Sequence, residues 1–328
     1  MAASSTPLAT AGPTPSQGVR PASSFWRRLR SGDEIAMGVT FLCAFSILAI
    51  TAYLVWELWI NSALPRHQFG FNFLRTTTWD PVAGNFGAAP FIYGTLVTSA
   101  IALVLAVPLG VGSAIFLAEF APPLLSDALA FLIELLAAVP SVIYGLLGIF
   151  ILVPALRVVE PYLKAAFGWT PLFSGPFYGV SLFSAGVVLS IMIVPFIISI
   201  SREVIRAVPN EQREAALALG ATRWETVWDA VLPFASRGIA GSIFLALARA
   251  LGETMAVTMV VGNDPKIKAS LLAPGYSIAA VIANEFTEAT GELYTQSLIE
   301  LGLVLFALTI IINGAARLML AASERGKV

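Results

Sequence analysis

Six long apolar runs, at roughly 35–59, 91–118, 128–153, 179–201, 238–261 and 296–317, alternate with polar stretches along the chain. Each is near or above the ~20 residues that an α-helix needs to cross a hydrocarbon core. The pattern predicts an all-α polytopic membrane protein with six transmembrane helices. Residues 1–34 predict a disordered tail of Ala, Ser, Thr and Pro that ends in a basic interfacial segment, Phe25-Trp26-Arg27-Arg28-Leu29-Arg30. The first span, 35–59, is followed by an extracytoplasmic loop at 60–90. Residues 91–317 form the remaining transmembrane core, with a cytoplasmic loop at 207–233, and 318–328 form a cytoplasmic tail.

The longest polar stretch between spans runs from Pro209 to Pro233. Asn210 is placed to cap a short helix, Glu211 opposes its dipole, and Gly220 supplies a left-handed residue to end it. Thr222 and Glu225 have capping-box spacing for a second helix, whose apolar residues are Trp224, Val227, Trp228 and Val231, and Pro233 closes the segment. This predicts a helix-turn-helix outside the bilayer. An amphipathic hairpin lying on the membrane surface satisfies the same pattern.

Composition agrees with the spans: the chain is 57% hydrophobic and 12% charged, with a mean hydropathy of +0.83. A soluble core is excluded. A net charge of -1 gives no reason to expect nucleic acid. Cys43, the single cysteine, excludes an intramolecular disulfide, and His67, the single histidine, makes neither a metal site nor a catalytic triad. No metal or other cofactor is expected. With the N-terminus inside, cytoplasmic segments hold Arg20, Arg27, Arg28, Arg30, Arg202, Arg206, Arg213, Arg223, Arg237, Arg317, Arg325 and Lys327. Outer loops hold only Arg66, Arg75, Arg157, Lys164, Lys266 and Lys268, so the cation bias sets this orientation.

Charges within spans need partners. Arg249 falls in the fifth run, and Glu253, four residues on, is its expected partner on one helix face. Glu134 and Glu300 are further carboxylates at membrane depth; Pro140 and Gly145 permit a kink and close helix approach, suiting a gate or simple packing. Gly110 and Gly112 are expected to let helices touch. In the outer loops, Phe69, Phe71, Phe73, Trp79 and Phe86, with Asp264, Lys266, Lys268, Glu285, Glu288 and Glu292, offer a docking surface for a soluble protein, or else an aromatic belt with solvated charges.

Glu214-Ala215-Ala216, Gly220 and Leu232-Pro233 resemble the EAA loop of ATP-binding-cassette importer permeases, which docks into the ATPase subunit. Ala230 departs from that pattern, where isoleucine is usual. Phe91-Ile92-Tyr93-Gly94-Thr95-Leu96, Ala118-Glu119-Phe120-Ala121-Pro122 and Pro140-Ser141-Val142-Ile143-Tyr144-Gly145 resemble the phosphate-transport permeases. Arg249-Ala250-Leu251-Gly252-Glu253-Thr254-Met255-Ala256-Val257, followed by Gly262-Asn263, is similar to the PstC subunit family rather than PstA, over about residues 60–320.

The resemblance implies a type I ABC importer permease fold in the cytoplasmic (inner) membrane. It implies a heterodimer with a PstA-type permease, two PstB-type ATPase subunits, and an extracytoplasmic phosphate-binding protein that delivers inorganic phosphate. Spacing further suggests Arg249, Glu253 and Glu134 for the substrate pathway, with Arg249 meeting a phosphate oxyanion and Glu253 keeping it from becoming a trap; the alternative for the first two is a structural ion pair that fixes the fifth span against its neighbours. Glu214, Ala215, Ala216, Gly220, Leu232 and Pro233 would couple to the ATPase. The sequence contains no G-x-x-x-x-G-K-[ST], so it supplies no ATPase, and it presents no catalytic set. Two rivals stay open: an importer of sulfate, molybdate or phosphonate, and an ion-gradient transporter with Arg249, Glu253 and Glu134 as a relay.

Overall fold

A computed structural model describes residues 33–325. The expected disordered tail and its basic segment, up to residue 32, lie outside the described residues, as do residues 326–328. The helices are α1 (Asp33–Ile60), α2 (Ala63–Phe69), α3 (Asn72–Arg75), α4 (Ala89–Ile115), α5 (Pro123–Ala137), α6 (Ser141–Leu147) and α7 (Val153–Phe167). There follow α8 (Leu182–Arg206), α9 (Asn210–Ala218), α10 (Arg223–Thr226), α11 (Leu232–Leu251), α12 (Met255–Val260), α13 (Ile278–Glu285) and α14 (Glu292–Arg325). Six stretches are long and apolar enough to cross a membrane: Ala36–Ile60, Ala89–Phe120, Ser141–Phe167, Leu182–Arg206, Arg223–Leu251 and Glu292–Leu318.

The chain divides between Leu54 and Val55 into two units. In the first, every side chain described from Ala36 to Leu54 is exposed. Lipid suits this surface, because the hydroxyls on it are already satisfied: Thr40, Ser46 and Thr51 donate to the carbonyls of Ala36, Cys43 and Ile47. Cys43 is exposed on the same helix.

The second unit is built around α8, the most buried span. Small residues bring α4 against it. A Cβ added at Gly110 would lie 2.7 Å from Ile197 Cγ2, and one at Gly186 would lie 2.5 Å from Ile101 Cγ2, so each helix supplies a glycine where the other presents an isoleucine. Gly112 faces open space instead. Ser201 and Ser242 share a buried hydrogen bond of 2.8 Å between α8 and α11.

The third apolar run does not hold one span. Its first part is α5, which stops at Ala137; Pro140 is extended (φ -57, ψ 138) and the membrane-length helix starts at Ser141. The residue before a proline disfavours the helical region and proline lacks an N–H, so Val139-Pro140 ends one helix and begins the next. Pro140 is thus a helix start and not a kink within a span. Tyr144 donates its hydroxyl to the Leu136 carbonyl at 2.7 Å, satisfying a carbonyl freed by the break.

The fifth run is shifted the other way. Pro233 does not close the 209–233 segment; it occupies the first turn of α11, and the helix is continuous with α10 through a π-turn at Val227–Val231. That wider turn accommodates a proline, which cannot donate to the preceding turn. The span then ends early, at Leu251, and Gly252-Glu253-Thr254 separate it from α12.

The aromatics of residues 60–90 form neither a belt nor an open docking face. Phe73 and Phe86 are fully buried with Phe91 and Tyr276, and Trp79 stands edge-on to Phe86 and Phe91 at 4.9 Å. Glu285 accepts from Trp79 Nε1 and the Tyr294 hydroxyl, and burial pushes the Tyr276 phenol well up. Of the expected docking aromatics only Phe71 is well exposed. Asp264 and Lys268 pair with each other.

Candidate functional site

The 209–233 loop has the expected helix-turn-helix form. Gly220 takes φ +92, which a side chain would disfavour, and Thr222 and Glu225 complete a reciprocal capping box. Asn210 does not cap; Pro209 precedes the helix and Asn210 is its first residue. Glu214, Ala215 and Pro233 are exposed, Ala216 and Leu232 half-buried. Beside them Leu217, Leu219, Trp224 and Trp228 are exposed too, and Leu219 is 90% so. Large apolar side chains thus stand together in the open on a polar loop. Thr222→Ala is expected to destabilise this loop by about 1 kcal/mol, read as earlier local unfolding by amide exchange.

One residue fastens the loop to the bundle. Arg213, on α9, pairs with Glu119 at 2.7 Å, and both side chains are mostly buried. Glu119 sits in the π-turn Phe116–Phe120 that ends the second span. The same guanidinium donates to the Val208 carbonyl and, at 2.9 Å, to the Ile205 carbonyl, which also accepts the Val208 N–H, where α8 ends. Trp224 meets Phe120 at 5.8 Å between centroids. Arg213 thus joins α9 to the end of the second span and to the end of α8. Alongside, buried Arg202 bonds Ser126 and Asp127 at the start of α5. Glu119 and Arg213 lie 94 residues apart, and no feature of the sequence pairs them.

The two span breaks meet. A Cβ on Gly145 would lie 2.5 Å from Met259 Sδ and 3.3 Å from Ala256 Cα, so α6 and α12 touch at the glycine. Arg249 stands at the end of α11, half-buried, with its guanidinium 5.9 Å from the Phe196 ring and within electrostatic reach of Tyr144. The expected Arg249–Glu253 pairing is not made. The helix ends at Leu251, which removes the shared face, and Glu253 Oε1 instead accepts the Ala256 N–H at 3.3 Å, capping α12. Among the described residues no carboxylate pairs with Arg249. Glu134 is exposed on α5, outside the six spans, and is not brought to Arg249.

The motif glycines and hydroxyls of the second span hold the far loop. A Cβ on Gly94 would lie 2.1 Å from the Tyr276 carbonyl oxygen. Thr95 Oγ1 accepts the Ile278 N–H at 3.0 Å, and the Tyr93 hydroxyl donates to the Lys268 carbonyl at 2.8 Å. Gly262 and Asn263 both take positive φ, turning the chain between α12 and that loop.

Residues 106–325 match the family described as "Binding-protein-dependent transport system inner membrane component". The chain is 46% identical over 299 residues, 90% of its length and 91% of the relative's, to the "Phosphate transport system permease protein PstC" of Mesorhizobium japonicum. It is 46% identical over 292 residues, 88% of its length and 90% of the relative's, to the protein of that name in Xylella fastidiosa. In fold it is similar to a chain of a bacterial ABC transporter involved in the import of alginate, with TM-score 0.56 and 17% identity over 90% of this chain and 97% of the other. A chain of the MetNI methionine ABC transporter, in an inward facing conformation, gives TM-score 0.52 and 15% identity over 75% of this chain and 99% of the other.

Proposed function

Because the chain belongs to the binding-protein-dependent transport system inner membrane components, and among them to the PstC permeases, we propose that it is the transmembrane permease subunit of an ATP-driven importer of inorganic phosphate. The observation that carries the cargo is the 46% identity to phosphate transport permeases over nine-tenths of the chain. On this reading the chain lies in the cytoplasmic membrane with both termini inside, and it makes no covalent bond. A PstA-type permease supplies the other half of the pathway. Two PstB-type ATPases bind the loops, and an external phosphate-binding protein delivers the cargo.

The geometry supports a mechanism. ATP binding closes the ATPase pair and displaces the loop through its exposed face, including Glu214, Ala215 and Leu219. The Arg213–Glu119 pair and the Arg213 bonds to the α8 carbonyls transmit the displacement to the second and fourth spans. Packing of α4 on α8 is too close at Gly110 and Gly186 for independent motion, so the spans turn as a block. At the end of α11, within electrostatic reach of Tyr144 on α6, Arg249 presents guanidinium donors that no carboxylate among the described residues occupies, and these suit a phosphate oxyanion.

The pathway role makes a prediction. In assembled complexes, Arg249→Gln is expected to lower phosphate uptake about tenfold or more, the worth of one charge-assisted hydrogen bond. Glu253→Gln keeps a carbonyl for the Ala256 N–H and is expected to cost much less. The function itself is tested by ATPase activity of the purified complex: binding protein loaded with phosphate should stimulate it, and sulfate should not substitute. Stimulation by sulfate and not phosphate would replace the cargo.

A further inference from the structure

Residues at the end of α1, on α2, the α2–α3 turn, α3, α4 and α14 line an open groove of about 600 Å³. Its floor is one face of α14: Glu300, Leu303, Val304, Ala307, Leu308 and Ile311, which follow helical spacing. From Glu300 to Ile311 that face runs ~16 Å along the helix, about half of a ~30 Å hydrocarbon core. The groove is thus as deep as one leaflet and is apolar except at its head.

The head carries two charges with unused capacity. Glu300 is only 6% exposed, and its Oε2 has no hydrogen-bond partner. Arg66 Nη1 is likewise buried and unpartnered, while Nη2 donates to the Trp59 carbonyl and the guanidinium lies 3.8 Å from the Trp59 ring centroid. These are two of the three buried side-chain polar atoms without a partner among the described residues. Both residues line the groove and Arg66 lies within electrostatic reach of Glu300, yet among the described residues no ion-pair contact joins them. Leaving a buried carboxylate oxygen and a guanidinium N–H both unsatisfied is costly, which points to a missing partner that both accepts and donates.

We propose that this groove is a binding site for a zwitterionic phospholipid bearing a primary ammonium, of the phosphatidylethanolamine class. The ammonium donates to Glu300 Oε2, a phosphate oxygen accepts from Arg66 Nη1, and an acyl chain lies along Leu303 to Ile311. An anionic headgroup without an amine leaves Glu300 unsatisfied and repelled. A choline headgroup brings charge but no N–H to donate.

The test is native mass spectrometry of the complete transporter, delipidated and then offered equal amounts of phosphatidylethanolamine, phosphatidylcholine and phosphatidylglycerol. Wild-type protein is expected to retain phosphatidylethanolamine about tenfold over either of the others. Glu300→Gln should abolish the preference for ethanolamine over choline, and Arg66→Gln should weaken retention of all three lipids. Ala307→Trp, which fills the groove and leaves both charges, should expel the lipid, so the result does not depend on charged variants folding. Equal retention of the three lipids by wild-type protein would overturn the proposal. So would a cysteine at Ile311 that cross-links quantitatively to another subunit, because the groove would then be a protein interface.

Discussion

Arg213→Ala is expected to leave the assembled transporter hydrolysing ATP while phosphate uptake falls about a hundredfold. The pair it breaks is mostly buried, with side-chain exposures of 18% and 12%, so solvent screening removes little of its energy. Losing one partner of such a pair costs about 3–5 kcal/mol, and here the carbonyls of Ile205 and Val208 lose a donor as well. The loop can still meet an ATPase through Leu217, Leu219 and Trp224, but the polar joint between α9 and the ends of the second and fourth spans is lost. Glu119→Gln should be milder, since the neutral amide still accepts and the carbonyl bonds stay. Uptake and ATPase are measured on the same proteoliposomes. Undiminished uptake in Arg213→Ala, or uptake and hydrolysis lost in equal proportion, would contradict the role.

Gly94→Ala is expected to destabilise the protein by more than the ~1–3 kcal/mol usual for overpacking. The added carbon meets the Tyr276 carbonyl oxygen at 2.1 Å, and that neighbour is backbone held by the Thr95–Ile278 hydrogen bond. Gly112→Ala, on the same helix with nothing within 4 Å, is the control and should gain about 0.5–1 kcal/mol. Thermal unfolding in detergent separates them. Equal unfolding temperatures for the two variants would show that the approach of α4 to the far loop is looser than described.

Much of this architecture is legible from hydropathy, because a bilayer imposes both length and apolarity on any spanning helix. Six spans, the turn at Gly220 and the capping box at Thr222–Glu225 follow from local chemistry alone. The third and fifth spans were shifted because the breaks at Ala138–Pro140 and Gly252–Thr254 are too short to divide the apolar runs that hold them. Arg249 and Glu253 illustrate the consequence: four residues apart predicts a shared face only while the helix continues, and it stops between them. The aromatics of residues 60–90 misled for another reason. Hydropathy does not distinguish an interfacial belt from a small core such as Phe73, Phe86 and Phe91 make. The Arg213–Glu119 joint, with partners 94 residues apart, is a tertiary fact with no local signature.

The most direct test of the account is uptake of labelled phosphate and labelled sulfate into proteoliposomes holding this chain with its PstA-type and PstB-type partners, binding protein outside and ATP inside. Phosphate is expected to accumulate, to stop accumulating without ATP and to continue when ion gradients are dissipated, with no accumulation of sulfate. Phosphate entry that survives loss of ATP and collapses with the gradient would contradict it.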